Sequence, residues 1–148
     1  MARITQAEYE TLAAFRYSLR QFLHFSEETA ESVGLTPQQH QALLSIKGFP
    51  GRDKITITEL TEQMQIRHHS AVGLADRLMI QGFLVREQSL TDRRQVYVML
   101  SPKGLAILEQ LSAVHKEELR RILPKLRQLI EQLSADGISA PIPSTKKA

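Results

Sequence analysis

A mainly α fold with one small β-hairpin (α+β) is what this sequence predicts, and three patterns carry the prediction. Between Thr58 and Gln81 two amphipathic segments follow each other with room for only a tight turn between them. Directly after them, two β-rich segments flank a polar stretch containing Asp92-Arg93-Arg94. At each end of the chain lies a longer apolar stripe of helical period. A helix pair followed at once by a two-stranded ribbon is a winged helix-turn-helix, expected over residues 35–100, with long helices over 1–34 and 101–135.

Each element has its own warrant. Leu12, Phe15, Leu19 and Phe22 step by three, four and three, and Leu23 widens the stripe. Gln6 to Val33 is therefore one helix, which Gly34 ends. Thr36-Pro37-Gln38-Gln39 has the marks of a helix start: Thr at the cap, Pro in the first turn, Gln three positions on. The helix behind it carries Ala42, Leu43 and Ile46 and stops near Gly48, and residues 49–54 make a loop. Ile55-Thr56-Ile57 is a short β-branched segment, after which Thr58 is expected to cap a helix through Gln65 with Leu60 and Met64 on one face.

The next helix, His68 to Gln81, spaces Ala71, Leu74, Ala75 and Leu78 at i, i+3, i+4 and i+7, and Gly82 closes it. Residues 83–87 and 95–100 are strands, the second placing Val96, Val98 and Leu100 on one side. Ser101-Pro102 opens another long helix, with Leu100 and Leu105 placed as a hydrophobic staple. Leu108, Leu111, His115, Leu119 and Ile122 line one side of it. Pro124 is expected to break that helix or to start a new one carrying Leu126, Leu129, Ile130 and Leu133. Residues 136–148 have little to bury and read as a disordered tail, and no internal repeat is visible.

Composition sets the outer bounds. The 148 residues, 42% apolar and 24% charged, suit one ordinary globular domain, and the net charge of +3 permits nucleic-acid binding without arguing strongly for it. Its distribution says more: segment 65–95 holds Arg67, Arg77, Arg86, Arg93 and Arg94 against Asp76, Glu87 and Asp92. Cysteine is absent, which excludes disulfides, thiolate ligands and thiol-based peroxide sensing. No apolar run is long enough to span a membrane, and the N-terminus lacks the apolar core of a secretory signal, so a cytoplasmic location is expected. No phosphate-binding glycine loop, Ser-His-Asp arrangement or metal-ligand motif appears, so neither enzymatic activity nor a cofactor is expected.

The two terminal stripes exceed what a winged helix of about 65 residues needs to cover its own core. They are expected to interleave with a second copy. Such a homodimer holds two groove-reading helices one DNA turn apart and matches a pseudo-palindromic site in double-stranded DNA.

Several fragments in their order and spacing resemble the MarR family of dimeric winged-helix transcriptional regulators, over roughly residues 8–134. They are Leu60-Thr61-Glu62-Gln63-Met64 with Ile66, the run Val72 to Leu78 ending in Asp76-Arg77-Leu78, and Gly82-Phe83-Leu84-Val85-Arg86. Asp92-Arg93-Arg94 and Leu100-Ser101-Pro102-Lys103-Gly104 complete the set. The resemblance implies a DNA-binding regulator, more often a repressor. His68, His69, Ser70 and Gly73, with Arg67, then stand at the front of the recognition helix, where side chains meet base edges and phosphates. Arg94 matches the arginine that enters the minor groove, Arg93 is assigned a phosphate contact, and Asp92 is expected to pair with Arg77 and brace the wing.

Two departures from the family pattern stand out. Arg67-His68 replaces a frequent Ser or Thr cap followed by Pro, and Gly73 replaces a larger polar residue, which bears on operator sequence. The resemblance also implies a small aromatic or anionic effector, for which Arg20, Phe22, His40 and Phe49 are the candidate lining residues. One alternative is metal sensing, through His24, His40 and His115 with Glu27, Glu28 and Glu118 nearby; another is a winged helix used only for protein interaction.

Overall fold

Capping chemistry sets where the elements begin in the computed structural model, which describes residues 3–135. The order is α1 (Gln6–Ser32), α2 (Pro37–Lys47), β1 (Lys54–Thr56), α3 (Ile57–Met64), α4 (His68–Ile80), β2 (Leu84–Gln88), β3 (Val96–Leu100) and α5 (Pro102–Ala135). The expected tail over 136–148 lies outside the described residues. At the start of α2 the Thr36 hydroxyl accepts from the Gln39 N–H and the Gln39 side chain accepts from the Thr36 N–H, both at 3.1 Å. That is the reciprocal box read from the sequence.

Helix α3 is capped by Thr56 and not by Thr58. The Thr56 hydroxyl accepts from the Glu59 N–H at 3.2 Å, and the Glu59 carboxylate accepts from the Thr56 N–H at 2.9 Å. Three residues beyond Thr58 stands Thr61, which has no carboxylate to reach back, so the box closes only on Thr56. The β-branched segment accordingly shifts one residue earlier, to Lys54–Thr56.

The sheet has three antiparallel strands in the order β1-β3-β2, one more than the expected hairpin. Ile55 and Arg86 flank Val98 from its two neighbouring strands. Of the alternating trio on β3, Val98 is buried, Leu100 half-buried and Val96 exposed. Strand β1 is hard to read from sequence because so short a segment gives too little periodicity to separate a strand from a loop.

Pro124 sits inside a continuous 34-residue α5, contrary to the expected break. A proline inside a helix removes one N–H donor and crowds one carbonyl. Good helix formers on both sides (Arg120, Arg121, Leu123, Lys125 and Leu126) carry the helix through that local loss.

Among the described residues two compact units emerge, one taking in 3–24 and 117–135, the other spanning Phe25–Lys116. These divisions fall further out on both long helices than residues 34 and 101. Ala30 from α1 and Leu108 and Leu111 from α5 belong to the core that Leu43, Ile46, Ile55, Leu60, Leu78 and Val98 build inside the second unit. Each long helix thus contributes one end to the winged-helix core.

Ser101 joins α5 to the end of α4. Its hydroxyl caps α5 by accepting from the Gly104 N–H at 3.0 Å, and donates to the Gly82 carbonyl at 2.5 Å. Its own N–H donates to the Phe83 carbonyl at 3.0 Å. Gly104 has to be glycine here, because a Cβ would stand 2.1 Å from the Phe83 carbonyl oxygen.

Candidate nucleic-acid interface

The helix expected to meet DNA is α4, fixed from behind and open in front. Ala71, Leu74, Ala75 and Leu78 are buried on one face, as their spacing predicts. Gly82, in the left-handed region at φ 81°, closes its C-terminus. There the Phe83 N–H donates to the Leu78 carbonyl (2.9 Å) and the Gly82 N–H to that of Met79 (3.0 Å). Gln65, also left-handed at φ 53°, makes the turn from α3.

At the front, Arg67 takes the cap position with extended backbone and no side-chain capping bond. The first N–H groups of α4 therefore have no side-chain acceptor at that position and remain open to an anion. His68, His69 and Ser70 are exposed on the first turn, and Gly73 is half-buried one turn on. A Cβ on Gly73 would meet only the Arg77 guanidinium, at 3.6 Å, so a larger residue fits there by moving a flexible side chain.

The wing between β2 and β3 is held by its own polar side chains. The Ser89 hydroxyl accepts from the backbone N–H groups of Thr91 (3.3 Å) and Asp92 (3.2 Å). The Asp92 carboxylate accepts from the Arg94 N–H at 3.0 Å, and Gln88 donates to the Arg93 carbonyl at 3.2 Å. Backbone bonds from Ser89 to Gln95 and from Gln95 to Asp92, each 3.0 Å, complete the turn. The product is an ordered tip with the Arg93 and Arg94 side chains exposed.

The expected Arg77–Asp92 brace is not formed among the described residues. Asp92 is committed to its own turn, and Arg77 lies exposed on α4. A different pair ties the wing to α4: Arg86 on β2 donates to Asp76 at 2.9 Å. On the other side of the ribbon Lys54 pairs with Glu87 at 3.0 Å. Neither pair stands out in the sequence, where Asp76 and Arg86 fall in fragments of the family resemblance and Glu87 counts toward charge balance, with nothing to pair them. The wing acceptors do carry a signal, since Ser89 and Asp92 in a polar loop are residues that bond nearby backbone N–H groups. Once these pairs are made, Arg67, Arg77, Arg93 and Arg94 are left without an ion pair among the described residues.

Beside the wing lies an open concavity of about 520 Å³ lined by Arg52, Thr56, Glu59, Arg94, Gln95 and Tyr97. Arg52 stacks on the Phe49 ring at 4.4 Å and hydrogen-bonds to Glu59. Burial alone acts to raise the Glu59 carboxyl, but the bonds from Thr56 and Arg52 outweigh it and hold the group below the usual carboxylate range.

The four residues expected around an effector are divided between the two units. Arg20 and Phe22 belong to the unit that ends at His24, His40 and Phe49 to the other. Phe49 packs under Arg52, and His40, 6% exposed, lies against His115 with ring centroids 4.8 Å apart. Among the described residues no group of three or more His, Asp or Glu side chains is placed to hold a metal, which leaves the metal-sensing alternative without a site there. No described helix is long and apolar enough to cross a membrane.

The model of the MarR family matches residues 33–95, the stretch from just past α1 through the wing. The HTH-type transcriptional repressor MdtR of Bacillus subtilis is 29% identical over 113 residues, covering 76% of this chain and 70% of the relative. A MarR family protein from Bacillus stearothermophilus has a similar fold, with a TM-score of 0.72 at 21% identity over 90% of this chain and 99% of the other. A mutant of Staphylococcus aureus MepR, solved bound to an oligodeoxyribonucleotide, superposes with a TM-score of 0.63 at 18% identity over 90% and 94% of the two chains.

Proposed function

We propose that this chain, which belongs to the MarR family of transcriptional regulators, is a sequence-specific DNA-binding repressor that acts as a homodimer on a pseudo-palindromic operator. The observation that carries the reading is the pairing of an open α4 front with an ordered, unneutralised arginine tip in one compact unit. Recognition falls to His68, His69 and Ser70 at base edges, with Gly73 leaving room for the duplex. Arg67 and Arg93 bind phosphate, and Arg94 enters the minor groove. Asp76 and Arg86 hold the wing to the helix in place of Arg77 and Asp92, which frees Arg77 for phosphate.

Dimerisation is supported by apolar side chains left open on both long helices. Leu12, Leu19 and Leu23 on α1 are 40–57% exposed, and Leu119, Leu123 and Ile130 on α5 are 45–52% exposed. Such stripes are costly in water and suit a second copy. The repressor sense follows the named activity of MdtR, and DNA binding follows the bound state of MepR. The protein works in the cytoplasm without enzymatic activity, and a small aromatic or anionic effector releases it from DNA by favouring one spacing of the recognition helices.

Fluorescence anisotropy on a duplex from upstream of the protein's own gene, against a scrambled duplex, tests the reading. Saturation at two chains per site with about a 10³-fold preference is expected, with loss of most of that affinity in Arg94→Ala. Equal, weak binding to both duplexes that Arg94→Ala leaves unchanged would overturn it.

A further inference from the structure

Away from the DNA-facing side, the unit Phe25–Lys116 buries a second titratable cluster that groove recognition does not use. His40 on α2 and His115 on α5 bring their rings to 4.8 Å between centroids with a 46° tilt. Phe25 on α1 meets the His115 ring edge-on at 5.5 Å. His115 Nδ1 lies 2.7 Å from the Leu111 carbonyl, which can only accept, so Nδ1 carries the hydrogen. Nε2 then accepts from the Ser26 hydroxyl at 2.8 Å in the neutral ring. Three helices are therefore joined through the two imidazoles.

The two rings differ in their hydrogen bonds. A proton added to His115 Nε2 has a partner, because the Ser26 hydroxyl can turn and accept. The His40 ring makes no hydrogen bond among the described residues and is 6% exposed. A second proton there would sit largely out of water, without a side-chain acceptor and beside the His115 ring. We propose that the tilted His40–His115 ring pair is a proton-sensitive latch holding the 25–32 end of α1 and the first half of α5 to α2, closed when neutral and released in acid.

The surrounding charges do not offset this. Burial, and after it the charge of His115, keep His40 below its ordinary value, and no carboxylate acts on it. Along the elements packed against the pair, α1 carries His24, Glu27 and Glu28 around Phe25 and Ser26, and α5 carries Lys116 and Glu118 around His115. Glu118 is itself bonded to Arg121 at 2.5 Å. Because a depressed histidine favours the neutral form in the fold, its stabilisation is complete above the unfolded value near 6.5 and is lost as pH falls toward the lower folded value. Release reaches α4, since Ser101 at the head of α5 bonds the carbonyls of Gly82 and Phe83, the two residues whose N–H groups close the recognition helix.

Urea unfolding of the wild-type chain and of His40→Gln between about pH 7.5 and 5.5, with imidazole titration by NMR on the folded wild type, tests the latch. Below about pH 6.5 the wild-type folded-to-unfolded ratio should fall by up to tenfold per pH unit more than that of His40→Gln. One imidazole in the folded wild type, the one that disappears in His40→Gln, should resist protonation to well below about 6.5. Parallel pH profiles for the two proteins would overturn the proposal. If His40→Gln does not fold, the wild-type titration decides by itself: five imidazoles all protonating near the ordinary value would reject the latch.

Discussion

Asp92 turns its carboxylate to the backbone N–H of Arg94, 3.0 Å away, so the acid of the wing shapes the tip that carries the arginine. A side chain that accepts two residues along the chain needs an oxygen in that place, not a negative charge. Asp92→Asn should therefore keep operator affinity within about twofold. Asp92→Ala loses about one hydrogen bond of order, and affinity should fall roughly fivefold. Anisotropy titrations of the two variants check this, and equal loss in both would restore Asp92 to a charge-pairing role with Arg77.

The alternative tie between wing and helix, Arg86 to Asp76, has side chains 62% and 47% exposed. Exposed pairs of this kind are worth only about 0–1 kcal/mol. A double-mutant cycle on thermal stability with Asp76→Ala and Arg86→Ala should give a coupling inside that range and one that shrinks in high salt. A coupling above about 2 kcal/mol would show that the pair is far better shielded in solution.

What was legible in the sequence follows from the range of each interaction. The buried face of α4, the Thr36 box and the Ser101 cap involve residues at most a few positions apart, and their spacing states them outright. Strand β1 and the Asp76–Arg86 pair depend on which segments meet in space. The Gly82–Phe83 turn, which lays β2 against α4, brings Asp76 and Arg86 into reach, and β1 is defined only by its pairing with β3. Pro124 misleads for a different reason: local propensity gives the cost of a proline but not whether the flanking turns can absorb it.

The Gly104 contact gives the sharpest stability prediction. In Gly104→Ala a methyl would press on the Phe83 carbonyl, which is backbone and cannot swing aside, so α5 or the α4–β2 turn must move. Such overpacking costs about 1–3 kcal/mol. Ser101→Ala removes the cap and leaves the Gly82 carbonyl without its hydroxyl donor, costing about 0.5–2 kcal/mol. Since both act on one joint, their combined cost should differ from the sum. Urea midpoints of the two single variants and the double variant test this, and strict additivity would mean that the joint does not act as a unit.

Arg67 sets stability against binding at one position. It occupies the cap of α4 without capping it, so Arg67→Ser should supply the missing acceptor and stabilise the fold by about 0.5–2 kcal/mol. If the guanidinium serves phosphate, the same change removes one ionic contact per chain. The slope of log affinity against log salt should then fall by about 0.9 per contact, close to 2 for a dimer on its operator. A rise in melting temperature together with a shallower salt slope is the expected pair of results. A higher melting temperature with an unchanged slope would leave Arg67 a poor cap with no part in DNA binding.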